Sequence, residues 1–178
     1  PDCSLWLFEF HRRSLSRLGL DGGLHNPLGL AGRERFLISR EASDGSHRQV
    51  FEERIDGAGA LASVVKADFG ALAESVSANG RYIALTHDDR RDRNDILVHD
   101  RESGETRPFL ATQYDEDHPA FSPDGTLLAY AANDSGRSEV YVRPFPGPGG
   151  KYTISNHGGT GPVWSRDGAK AALMGKSS

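Results

Sequence analysis

Only one cysteine, Cys3, occurs in the 178 residues, so no disulfide can form within the chain. That leaves the redox compartment open, because folds closed by strand pairing need no such staple. No apolar run approaches the ~18 residues that a membrane-spanning helix requires, and no membrane insertion is expected. An excess of one charge is also missing. Twenty-one Lys and Arg stand against 25 Asp and Glu, interleaved, for a net charge of -4, which argues against a nucleic-acid partner. No window carries a convincing amphipathic helix; Ala58–Val65 comes closest and is too short to stand alone. The sequence opens on Pro1 without a basic-then-apolar leader, and is expected to be a processed chain or a piece of a longer one.

What is present is repetition. LGLAGRERFLIS (Leu28–Ser39), SVSANGRYIALT (Ser75–Thr86), AFSPDGTLLAYA (Ala120–Ala131) and VWSRDGAKAALM (Val163–Met174) are versions of one phrase. Their glycines, Gly32, Gly80, Gly125 and Gly168, are spaced 48, 45 and 43 residues apart. A period in this range signals a repeat architecture. In the clearest copy, Pro119–Ser122 is a strand and Ser122–Gly125 a turn, in which Pro123 presets φ and Gly125 relieves steric strain. Leu127–Ala132, Glu139–Phe145 and Tyr152–Ser155 follow as three more strands, the last two separated by the loop Pro146–Gly150. The same pattern fits Glu74–Ser77, Arg81–Thr86, Asp95–Asp100 and Thr106–Ala111. It fits more loosely Pro27–Leu30, Arg35–Arg40, Arg48–Arg54 and Leu61–Lys66. Leu5–Phe10 (Trp6, Phe8 and Phe10 on one face) and Leu15–Leu20 read as the last two strands of a repeat, and the chain closes on the first two of another.

The expected fold is therefore all-β: a β-propeller of four-stranded antiparallel blades, about four blades' worth. Blade boundaries are expected at 1–24 (two strands), 25–70, 71–116, 117–161 and 162–178 (two strands). A six-bladed ring at this period needs roughly 270 residues, and the reading favoured is part of such a ring. Its rival is a closed four-bladed ring whose composite blade joins the first two strands to the last two.

The stretch AFSPDGTLLAYAANDSGRSEVYVRPFPGPGGKYTISNHGGTGPVWSRDG (Ala120–Gly168) resembles the WD40-like repeat of TolB-like six-bladed propellers, notably those carboxy-terminal to bacterial serine/threonine kinase domains. FSPDG, SGRSEVYVRPFPGPGGK and GPVWSRDG carry the likeness. It is strong over the last third of the chain, fair over Ala73–Thr112 and weak before Asp56. It implies a non-catalytic scaffold for protein–protein interaction or ligand sensing, and a periplasmic or other extracytoplasmic location. The namesake is a periplasmic interaction module of the Tol–Pal machinery. The alternative is the accessory propeller of a bacterial serine/threonine kinase or prolyl oligopeptidase-type hydrolase, with the catalytic domain outside this chain.

No catalytic, cofactor or metal residue is assigned. Asp68-Phe69-Gly70 matches a kinase metal-binding segment by chance, because the catalytic base, the second metal ligand and the Gly-rich loop are missing. His157-Gly158-Gly159 resembles an esterase oxyanion segment but has no nucleophile elbow to serve. Among the seven histidines, His25 and His118 hold equivalent places just before an innermost strand. There they either make an inter-blade hydrogen bond or rim the mouth of the central channel. Asp88, Asp89 and Asp92, in a dense charge run, and Asp115, Glu116 and Asp117, in a link between blades, are expected on one face of the ring. They form either a solvated rim or an acidic surface for a basic segment of a protein partner. Asn133 and Asp134 complete the candidate surface, and a small ligand at the channel mouth is the other partner expected. Trp6, Tyr114, Tyr130, Tyr141 and Trp164 are expected to pack between blades.

Overall fold

The computed structural model describes residues 5–18, 24–29, 34–41, 47–56, 61–65, 69–88 and 93–175, with the side chains of 24–26 and 88 excepted. Among them are sixteen strands and no helix. They are β1 (Leu5–Glu9), β2 (Ser14–Leu18), β3 (Leu24–Gly29), β4 (Arg35–Glu41), β5 (Arg48–Arg54), β6 (Ala62–Ser63), β7 (Ala71–Val76) and β8 (Tyr82–Asp88). The second half has β9 (Asn94–Asp100), β10 (Thr106–Leu110), β11 (Glu116–Phe121), β12 (Leu127–Ala132), β13 (Glu139–Pro144), β14 (Tyr152–Thr153), β15 (Thr160–Trp164) and β16 (Ala171–Met174). Three four-stranded sheets run β3-β4-β5-β6, β7-β8-β9-β10 and β11-β12-β13-β14, flanked by the pairs β1-β2 and β15-β16. Leu24 and Glu116 begin strands one residue across the expected blade boundaries.

The chain forms two compact units, Pro1–Ala73 and Glu74–Ser178. In the first, Leu5 and Leu7 of β1 pack with Leu18, Phe36, Ile38, Phe51 and Leu61. The strand alternates, so Trp6 and Phe8 face the other way. Trp6 is 55% exposed and therefore does not pack as expected. The Ser39 hydroxyl accepts from the Ala73 N–H at 2.9 Å.

In the second unit, one cluster joins two sheets. Ala84, Ile96, Val98 and Leu110 come from β8–β10, and Phe121, Leu128, Tyr130, Ala132, Tyr141 and Phe145 from β11–β13 or just beyond. The middle strands are buried on both faces, as β12 shows over Leu128–Ala132. That explains why it reads as a continuous apolar run rather than an alternating one. Phe145 is the hub: its ring lies edge-on to Tyr82 (5.0 Å) and Phe121 (4.8 Å), and tilted against Phe109 (5.8 Å). Tyr130 and Tyr141 are buried, whereas Tyr114 is at the surface.

The repeated phrase builds one hydrogen-bonded turn three times over. Ser77, Ser122 and Ser165 each donate a hydroxyl hydrogen to the Asx two residues on, at 2.7, 2.6 and 2.6 Å. Each also accepts from the N–H five residues on, at 2.9 Å in all three. Gly80, Gly125 and Gly168 follow at φ 72°, 72° and 71°, where a β-carbon would be strained. The earliest copy lacks both serine and Asx, and its Gly32 lies outside the described residues.

Candidate binding face

Three first strands, β3, β11 and β15, are distorted at corresponding places. The pairing register shifts between His25 and Leu28 in β3, between Asp117 and Ala120 in β11, and between Thr160 and Val163 in β15. Such bulges bend a strand and re-aim its side chains. At the β11 bulge His118 has φ +52°, and Gly161 at the β15 bulge has φ +58°. His25 and His118 thus lie inside first strands rather than before them.

The bulges bring polar groups of neighbouring first strands together in the second unit. His118 Nδ1 lies 2.8 Å from Asp117 Oδ1 and 3.4 Å from Thr160 Oγ1. The hydrogen bond to Asp117 holds the His118 imidazole above its usual pKa, and Glu74 adds to the effect. On β7, Glu74 is partly buried; burial raises its carboxyl, while a hydrogen bond from Thr86 (2.5 Å) and one from the His118 backbone oppose that rise. Glu74, Asp117, His118 and Thr160 therefore form one polar group across β7, β11 and β15.

The other expected residues divide by what they touch. Asp115 fastens the link between sheets: its carboxylate accepts from Asn133 Nδ2 at 2.8 Å and from the Asn94 N–H at 3.3 Å. Its own N–H donates to Asn133 Oδ1 at 3.0 Å. These bonds bring the start of β9 and the link before β11 to the same end of the sheets. Glu116 is buried at 3% exposure, which corrects its placement on an open acidic surface. Burial raises its carboxyl, which is held by the Thr112 hydroxyl. Asp134 pairs with Lys151, whose ammonium also sits 4.0 Å over the Tyr141 ring. Asp89, Asp92 and the side chains of His25 and Asp88 lie outside the described residues, as does Asp68.

Sequence reading missed Glu74 and Glu139. The latter is buried and accepts from Arg137 Nε at 2.7 Å, Ser155 Oγ at 2.5 Å and the Gly158 N–H at 2.9 Å. The Gly159 N–H donates to the Ser138 carbonyl at 2.9 Å. Both glycine amides of His157-Gly158-Gly159 are thus spent on structure and not directed at an oxyanion. Among the described residues, no three His, Cys, Asp or Glu side chains gather as a metal-binding group.

No family model matches the sequence, and no curated protein does. Solved structures do. A TolB-type protein of Agrobacterium tumefaciens superposes with a TM-score of 0.76 at 18% identity, covering 90% of this chain and 58% of its own. TolB from Acinetobacter baumannii gives 0.76 at 14%, covering 98% and 43%. An oligogalacturonate lyase in complex with manganese gives 0.71 at 15%, covering 98% and 51%. The chain is a β-propeller of four-stranded antiparallel blades. Its fold is that of the TolB-like propellers, and it spans 58% and 43% of the two TolB chains.

Proposed function

We propose that this chain is a non-catalytic propeller module that docks a basic segment of a protein partner at the mouth lined by its first strands. The observation that carries the reading is the convergence of Glu74, Asp117, His118 and Thr160 from β7, β11 and β15 at backbone bulges. First strands are the innermost strands of a propeller, so polar groups that converge there meet at the channel. Two carboxylates against one imidazole leave the group net acidic, and Asp117 is accessible enough to meet a lysine or arginine. Asp115 and Glu116 shape this region from within. The resemblance to TolB-type propellers favours an extracytoplasmic setting for such docking.

A lysine-rich peptide titrated into the full chain tests this. Saturable binding is expected, weakening about tenfold in Asp117→Lys, the size of one lost charge-assisted contact. Glu102→Lys, at the far end of the sheet, is expected to bind as the wild type does. Equal losses in the two variants, or none in either, would place docking elsewhere.

The second reading is the accessory propeller of a larger enzyme, with the same mouth gating or presenting a substrate. It is supported by the similarity to the lyase and by the fraction of the TolB chains that is spanned. Kinase or hydrolase motifs in the adjoining reading frame would decide for it.

A further inference from the structure

A second concave surface lies at the opposite end of the sheets, away from the mouth. It is a groove of about 430 Å³ bounded by β10 on one side and by the end of β13 with its following loop on the other. That volume falls within the range of small-molecule and peptide side-chain sites. Val98, Phe109 and Phe145 supply its apolar lining, with the prolines of the 146–148 loop. Phe109 and Phe145 are in ring contact at 5.8 Å, and Phe145 is anchored in the core cluster, so this floor is fixed. A β-carbon on Gly149 would come within 2.4 Å of Pro144 Cγ, so the loop closes tightly over the strand end.

Two guanidinium groups, Arg107 and Arg143, line the groove, and among the described residues no carboxylate does. Arg143 hydrogen-bonds the Tyr130 hydroxyl at 3.2 Å, and burial keeps that phenol neutral. Arg107 is exposed and has no hydrogen-bond or ion-pair partner among the described residues. In the same unit Arg81, Arg137 and Lys151 are each matched to a carboxylate. In a chain of net charge -4, two guanidinium groups with no carboxylate partner among the described residues, beside an aromatic floor, constitute a local reversal of sign.

We infer that this groove binds an acidic peptide segment, with one apolar side chain on the Phe109–Phe145 floor and flanking carboxylates on Arg107 and Arg143. The guanidinium fork suits carboxylates. A peptide is favoured because β10 ends its sheet, and an edge strand accommodates an extended chain alongside it. The site shares no residue with the mouth, so it stands or falls independently of docking there.

The test is fluorescence polarisation of a labelled, amidated Glu-Phe-Asp-Glu peptide against the full chain at low salt. Saturable binding is expected, weakening about tenfold or more in Arg107→Glu and by less in Arg143→Gln, which can still donate to Tyr130. Arg107 has no partner among the described residues, so Arg107→Glu should melt as the wild type does; Arg107→Gln serves if it does not. A Lys-Phe-Lys-Lys peptide is expected to favour Arg107→Glu over the wild type. Absence of saturation, equal binding by the wild type and the Arg107 variants, or undiminished binding of Glu-Gly-Asp-Glu would each overturn the inference.

Discussion

Ser122 is buried, and its hydroxyl accepts from the Leu127 N–H while donating to Asp124 Oδ1. Ser122→Ala leaves the partly buried Leu127 N–H unpaired, at a cost of about 1–3 kcal/mol. The same change at Ser165 should cost less, because water can replace the partner lost by the exposed Lys170 N–H; urea unfolding of the two variants measures the difference. Ser122 and the Thr126 N–H also pull the Asp124 pKa down to about 2. A depressed carboxylate stabilises the fold above its unfolded value and loses that contribution as pH falls through the folded one. Asp124→Asn should therefore flatten the acid limb of the stability profile from pH ~4 down to ~2. His118 has the opposite sign. Its raised pKa contributes fully below the ordinary histidine value and is lost as pH rises through the folded one. In Asp117→Asn, an NMR titration should find the His118 pKa lowered.

At the scale of the strand, β12 sets a clear contrast between neighbours. Leu128 is fully buried and Leu127 only partly. Leu128→Ala should cost about 2–5 kcal/mol and Leu127→Ala much less, by chemical denaturation. Strand order and number were legible because turn chemistry and apolar runs are local properties. Pro123, Asp124 and Gly125 declare a turn without help from any other blade. The bulges were not legible, since a register shift exists only relative to a partner strand. Thus His25 and His118 read as residues before a strand when they lie within one. Likewise Asp115 and Glu116 show their charge in the sequence but not their partners. Only the fold brings Asn94 and Asn133 to Asp115 and encloses Glu116 beside Thr112. Glu74, a partly buried member of the candidate mouth, sits among small residues with no motif to mark it.

Across the whole molecule, the cohesion of the second unit passes through Phe145, whose ring meets Tyr82, Phe109 and Phe121. Phe145→Ala should cost about 3–5 kcal/mol and raise amide exchange in both sheets it joins. It should also collapse the Phe109 side of the peptide groove while sparing the His118–Asp117 pair. The seams between sheets have a common form. The Phe121 N–H donates to Ser75 Oγ at 3.0 Å, and Trp164 Nε1 donates to the Ala120 carbonyl at 3.0 Å. Each fastener joins a first strand to the first strand immediately before it. In the second unit, alignment is thus handed on from one blade to the next, as along a row of roof tiles. Duplicating one 45-residue unit between Gly80 and Gly125 would then meet familiar seams on both sides, so such an array can grow by copying without inventing a new joint.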